Sequence, residues 1–150
     1  MKKKIEIKSK IINHIMGDGG KRTSEKILLS SFKQLQKYSQ KQSKKLIQLA
    51  IINSTPIFKL HKIKNKKQKK RNKKVREIPA FISNAHARIS LAIQFILATT
   101  KKQKPNKFYT KLKQKILENA QQKGTTFEFK NDSQKQVLLN KHYFTYYKWK

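Results

Sequence analysis

Ile57-Phe58-Lys59-Leu60-His61-Lys62-Ile63-Lys64 alternates apolar and polar side chains. Val75-Arg76-Glu77-Ile78-Pro79-Ala80-Phe81-Ile82 does so again, with Ile78, Ala80 and Ile82 on one face. A period of two marks a strand, whose successive side chains point to opposite faces. Pro79 has no N–H to give a neighbour, so its strand belongs at a sheet edge. The runs are joined by Asn65-Lys66-Lys67-Gln68-Lys69-Lys70-Arg71-Asn72-Lys73-Lys74, in which seven of ten residues are basic. We read a β-hairpin with a long cationic tip; like charges this dense need counter-charge to become ordered.

On both sides of the hairpin the apolar period changes to three and four, the spacing of a helix face. Before it, residues 5–16 predict a short helix stopped at Gly17-Asp18-Gly19-Gly20, where glycine supplies positive φ. Thr23 is read as the N-cap of a second helix with Ile27, Leu28, Phe32 and Leu35 on its face, Ser31 beside them, fading near Ser39. Residues 43–53 carry Leu46, Ile47, Leu49, Ala50 and Ile51, and Pro56 ends that helix by disfavouring helical backbone at Thr55. After the hairpin, Ser83 or Asn84 caps a central helix with Ile89, Ala92, Ile93, Ile96 and Leu97. Asn106 is read as the cap of a fifth helix with Phe108, Leu112, Ile116 and Ala120, terminated by Gly124. A last helix starts near Asp132, where Ser133 and Gln136 fit a capping box. It carries Val137, Leu138 and Phe144 into an aromatic tail.

The predicted fold is mainly α: a bundle of about six helices with a protruding β-hairpin inserted between helices three and four. It is read as a single domain over residues 1–150, with a basic N-terminal extension at 1–9, the hairpin arm at 56–82 and a C-terminal helix and tail at 132–150.

Lys and Arg number 38 against seven acidic residues among 150, a formal charge of +31. Self-repulsion at that density argues for a polyanion partner and against a free metabolic enzyme. Thirty-four of these cations are Lys and four are Arg (Arg22, Arg71, Arg76, Arg88). Lys is a flexible point charge suited to phosphate, whereas Arg supplies planar bidentate recognition, so backbone binding is favoured over base reading. The absence of Cys excludes a thiolate nucleophile, a disulfide scaffold and a Cys-ligated zinc. The longest nearly uncharged run, residues 89–100, is shorter than the roughly 20 residues a bilayer span needs. Glu6, Lys8 and Lys10 interrupt the apolar stretch a signal peptide requires after Met1-Lys2-Lys3-Lys4, so no cleavable targeting segment is expected. Lys, Ile and Asn make up 60 of the 150 residues. Their codons are rich in A and T, which suggests an AT-rich coding genome such as an organelle's.

No catalytic site, metal site or cofactor is read. His14, His61, His86 and His142 stand apart from one another, and the seven acids form no pair for acid–base work. Gly17-Asp18-Gly19-Gly20-Lys21 lacks the spacing of a phosphate-binding loop and follows no strand. It is read as a helix–helix turn, although Lys21, Arg22 and Thr23 beside a helix start suit an RNA phosphate.

Four segments resemble the ribosomal protein seven family of the small subunit, bacterial and organellar type. Met16-Gly17-Asp18-Gly19-Gly20-Lys21-Arg22-Thr23-Ser24-Glu25-Lys26-Ile27 is similar to the family's M-x-D-G-K-K-x-x-A-E-x-I. Asn53-Ser54-Thr55-Pro56 is similar to N-x-x-P. Arg88-Ile89-Ser90-Leu91-Ala92-Ile93-Gln94-Phe95-Ile96 is similar to R-x-x-L-A-x-x-W-I. Lys123-Gly124-Thr125, Asn140-Lys141 and Tyr147-Lys148-Trp149 are similar to K-G-T, N-K and Y-R-W. The resemblance runs from about Lys10 to the C-terminus. This chain departs from it in the long tip at 65–74, where the family has a short glycine-containing turn, in Gly20, and in Phe95.

The resemblance implies a helical body with a protruding hairpin that binds the 3′ major domain of small-subunit rRNA and nucleates head assembly. It also implies an arm reaching toward the exit-site tRNA and the mRNA path. Candidate rRNA contacts are Lys2, Lys3, Lys4, Lys10, Lys21, Arg22, Thr23, Lys26, Lys59, Lys62, Lys64, Arg76, Arg88, Lys101 and Lys102. Lys66, Lys67, Lys69, Lys70, Arg71, Lys73 and Lys74 form the tip, facing tRNA, mRNA or rRNA. Tyr147, Lys148 and Trp149 are a tail for RNA or protein. Expected partners are rRNA, nearby exit-site tRNA and mRNA, and neighbouring head and platform proteins, with no membrane and no homo-oligomer. The expected location is the mitochondrial ribosome in the matrix, with a plastid as the alternative. The rival reading is a basic nucleic-acid or membrane-surface protein of an organelle.

Overall fold

The computed structural model describes residues 7–39, 43–64, 75–103 and 107–146. Lys2 to Lys4, the hairpin tip at 65–74, Asn106 and the tail from Tyr147 lie outside them, as do the side chains of Lys64 and Arg76. The described helices are α1 (Ile7–Ile15), α2 (Lys21–Tyr38), α3 (Ser43–Ser54), α4 (Ala85–Lys102), α5 (Phe108–Ala120) and α6 (Thr125–Leu139), with a 3-10 helix at Lys141–Tyr146. Strands β1 (Phe58–Lys64) and β2 (Val75–Phe81) form an antiparallel pair between α3 and α4.

Five helices give one stripe each to a common core. Ile11 and Ile12 come from α1, Leu28 and Leu35 from α2, and Ile47, Ala50 and Ile51 from α3. Ala92, Ile93, Ile96 and Leu97 come from α4, and Leu112 and Ile116 from α5. Leu28 and Leu35 are fully buried, and each such side chain contributes about 1.5–3 kcal/mol. Helix α5 lies against α2, α3 and α4. Polar residues tie it in: the Ser31 hydroxyl on α2 lies 3.2 Å from the Tyr109 carbonyl. Asn53 Nδ2, from α3, donates to the carbonyls of Asn119 at 2.9 Å and Ala120 at 3.2 Å. Both carbonyls lie in the last turn of α5, where a helix runs out of its own regular donors.

A two-stranded ribbon is marginal in isolation, and this one is braced at its root. The register sets Phe58 opposite Phe81 and Leu60 opposite Pro79, so Pro79 interrupts a pair that is all edge. The Phe58 ring stands 6.0 Å from Phe81 and 5.6 Å from Phe144 in the 3-10 helix. Ile82 N–H donates to the Ile57 carbonyl at 3.0 Å and closes the base.

Several local expectations are corrected. Helix α2 opens at Lys21 behind Gly20, and Thr23 sits inside its first turn, donating its hydroxyl back to the Gly20 carbonyl at 2.6 Å. The position preceding α5 is Lys107, which makes no side-chain capping bond. Gly124 does not terminate α5. Gln122, at φ 57°, closes that helix with Gln122 N–H on the Asn119 carbonyl and Lys123 N–H on the Glu118 carbonyl, the paired bonds of a Schellman turn. Gly124, at φ 88°, instead leads into α6, which begins at Thr125 rather than near Asp132. The early start is held from outside the helix: Thr126 shares a buried 2.7 Å hydrogen bond with Thr99 of α4, and Thr125 accepts from Lys115 at 3.0 Å. Val137 is buried as expected, whereas Leu138 is exposed and Phe144 falls beyond the helix end.

Candidate nucleic-acid interface

Alternation along β1 puts Lys59 and His61 on one face, opposite Ala80 and Ile78 of β2. That face looks across a groove of about 400 Å³ at Ala87, Ser90, Leu91 and Gln94 of α4. The small side chains of Ala80, Ala87 and Ser90 leave the space open, while Lys59 and Gln94 are exposed at its walls. Asn84 caps α4 by accepting the His86 N–H at 2.8 Å, which fixes the helix start at the groove's end. Ser90 and Gln94 were missed from the sequence. They sit at i, i+4 beside the apolar stripe of α4, a pattern indistinguishable from an ordinary solvated face.

Arg88 joins the two walls. Its Nε donates to the Ile82 carbonyl and its guanidinium lies 5.0 Å from the Phe81 ring centroid. Lys10 reaches from α1 to the same region, its Nζ donating to the His86 carbonyl at 3.0 Å. Two predicted contacts therefore carry structural bonds at the root of the arm. Lys62 is exposed on β1 and pairs with Glu77 at 3.3 Å, a surface pair worth at most about 1 kcal/mol.

Lys21, Arg22, Thr23 and Lys26 are exposed at the start of α2. Lys21 lines a second groove of about 210 Å³ with Lys8, Asn13 and Glu25, between α1 and α2. A Cβ on Gly20 would approach Thr23 Oγ1 to 2.8 Å, which accounts for a residue without a side chain there. Lys101 and Lys102 are exposed at the far end of α4. Thirteen residues of helix separate Arg88 from Lys101, about 20 Å, so these two lysines do not share the groove. Lys102 Nζ instead lies 5.9 Å from the Phe129 ring.

The described residues contain no group of three or more His, Asp or Glu side chains placed to hold a metal ion. No described helix is long and apolar enough to cross a membrane. The arrangement is a braced apolar body with cationic grooves and edges, suited to neutralising phosphates along a shaped surface.

Residues 1–141 match the family described as ribosomal protein S7p/S5e. The chain belongs to this family. The small ribosomal subunit protein uS7 of Pseudothermotoga lettingae is 28% identical over 141 residues, covering 94% of this chain and 86% of that protein. Its counterpart in Sulfurovum sp. is 24% identical over 144 residues, covering 96% and 88%. That of Campylobacter hominis is 28% identical over 142 residues, covering 94% and 86%. Ribosomal protein S7 family members are structural, non-enzymatic components of the small ribosomal subunit, and rRNA binding is general among them.

Proposed function

We propose that this chain is a structural protein of an organellar small ribosomal subunit, acting as one domain that grips the 3′ major domain of the rRNA and nucleates head assembly. The carrying observation is the open groove between β1 and α4, walled by Lys59 and His61 and braced by Arg88. It lies on a body whose five helix stripes are already satisfied internally. The charge of +31 therefore decorates a folded core, and its exposed share, Lys59, Lys21, Arg22 and Lys26 among it, would meet phosphate. Lys21, Arg22 and Lys26 at the α2 start would hold a second stretch of backbone. Arg76 and the tip lysines would carry the arm toward the exit-site tRNA and the mRNA path. Neighbouring head and platform proteins would meet the remaining surface. The Lys, Ile and Asn bias supports an AT-rich organelle genome, a mitochondrion before a plastid.

Recognition in this reading is by shape, because an RNA helix hides its major-groove edges. Each neutralised phosphate contributes a logarithmic salt slope of about −0.7 to −0.9. Affinity for a fragment of the cognate 3′ major domain should fall steeply between low and high salt, and an affinity that ignores salt would defeat the mechanism. Co-sedimentation with small subunits at physiological salt is expected; transfer to DNA or vesicles would point to the rival class.

A further inference from the structure

Helix α6 stands behind the arm. Its Lys130 Nζ donates to the Asn53 carbonyl at 2.6 Å, and Gln134 Nε2, one turn later, donates to the Phe58 carbonyl at 3.3 Å. Positions i and i+4 share a helix face, so one face of α6 grips the chain on both sides of the buried Pro56. Asn53 is itself pinned to the end of α5. The backbone entering β1 is thus held by a helix that contributes no residue to the groove. Since side chains alternate along β1, that hold decides where Lys59 and His61 stand against Ser90 and Gln94.

We infer that Lys130 and Gln134 are positioning residues: they aim the arm, and so set the width of the groove between β1 and α4, without touching the RNA. Helix α6 carries Lys130 and Lys135 against Glu128 and Asp132, no net charge in a chain of +31. The helix as a whole thus brings no excess positive charge to a phosphate backbone. Burial holds the Lys130 pKa below its ordinary value, so the ammonium is kept there at a desolvation cost that an uncharged side chain would escape. What the groove binds rests on the proposed function; the aim of the arm is a property of the chain alone.

The chain has no cysteine, so spin labels at Lys62→Cys and Gln94→Cys report the arm-to-α4 distance without interference. With no RNA present, Lys130→Met and Gln134→Leu should each shift or broaden that distribution while helicity is retained. Lys130→Arg, which keeps a donor, should restore it. An unchanged distribution in folded Lys130→Met overturns the inference; if that variant does not fold, Gln134→Leu decides by the same criterion. With an rRNA fragment, Lys130→Met should weaken binding several-fold at an unaltered salt slope. A slope smaller by about 0.7–0.9 would make Lys130 a phosphate contact and overturn the positioning role.

Discussion

The Arg88 guanidinium lies 5.0 Å from the centroid of the Phe81 ring, linking the first turn of α4 to the last residue of β2. Its Nε also holds the Ile82 carbonyl. The planar cation thus closes the exit from the arm, as Lys130 and Gln134 close the entry.

Arg88→Ala should cost about 2–4 kcal/mol, combining a cation–π contact with a charge-assisted hydrogen bond. Urea unfolding measures the loss, and amide exchange should quicken first along residues 75–82. Arg88→Lys keeps the charge but not the planar fork, and should recover less than half of the difference.

Two neighbouring positions should respond with opposite sign. Gln122 occupies φ 57° at the end of α5, where a side chain is strained and glycine is not. Gln122→Gly should gain up to about 1 kcal/mol. Gly124→Ala should lose at least about 1–2 kcal/mol. It adds strain at φ 88° and places a Cβ 2.6 Å from Glu118 Oε2, an atom already bonded to Lys115. Equal thermal shifts in the two variants would contradict this reading of the turn.

Lys115 is buried to 3% side-chain exposure, its Nζ 2.7 Å from Glu118 Oε2. Glu118→Gln leaves that ammonium without counter-charge and should cost about 2–3 kcal/mol, less than a fully buried pair because Glu118 is partly exposed. Lys115→Met removes the buried charge at similar volume and leaves behind only the partly exposed Glu118, but it gives up the bond to Thr125, so it should cost less than Glu118→Gln, about 1 kcal/mol. Denaturant midpoints for the two variants test the asymmetry.

Lys130 gives a pH signature. Its pKa is lowered from 10.5 by desolvation. Between the folded value and 10.5 the unfolded chain binds more protons at this site, so its contribution to stability rises with pH. Below the folded value both states are charged and the contribution is constant and unfavourable. The thermal midpoint of the natural chain should therefore gain on that of Lys130→Met as pH climbs toward 10.5. A difference that is flat or shrinks would reverse the assignment.

The hairpin was legible because Ile57 to Lys64 and Val75 to Ile82 change period within a few residues. Proline at 56 and the cap at Asn84 mark the neighbouring boundaries by local sterics and local hydrogen bonding. The start of α6 was not legible. It depends on Thr126 meeting Thr99 and Thr125 meeting Lys115, whereas Ser133 and Gln136 offered a local cap in competition. Asn53 stood in the sequence as part of a segment similar to N-x-x-P, and its side chain proved to bind the last carbonyls of α5. Lysines and arginines were the least readable, since a cation that binds phosphate and one that caps a carbonyl are the same residue in a sequence.

Composition and period, both carried by near neighbours, were sufficient for the polyanionic class of partner, the helix stripes and the inserted ribbon. Which cations remain exposed was settled by contacts across the fold: Lys10 on His86, 76 residues away, Lys130 on Asn53, 77 away, and Arg88 against the arm. The Asn53 carbonyl lies in the last turn of α3 and lacks a donor within its helix, whereas His86 lies in the first turn of α4 and Ile82 follows β2; in each case the donor is the side chain that packing brings near. The groove beside β1 follows from the same packing, because its width is set by elements far apart in the chain.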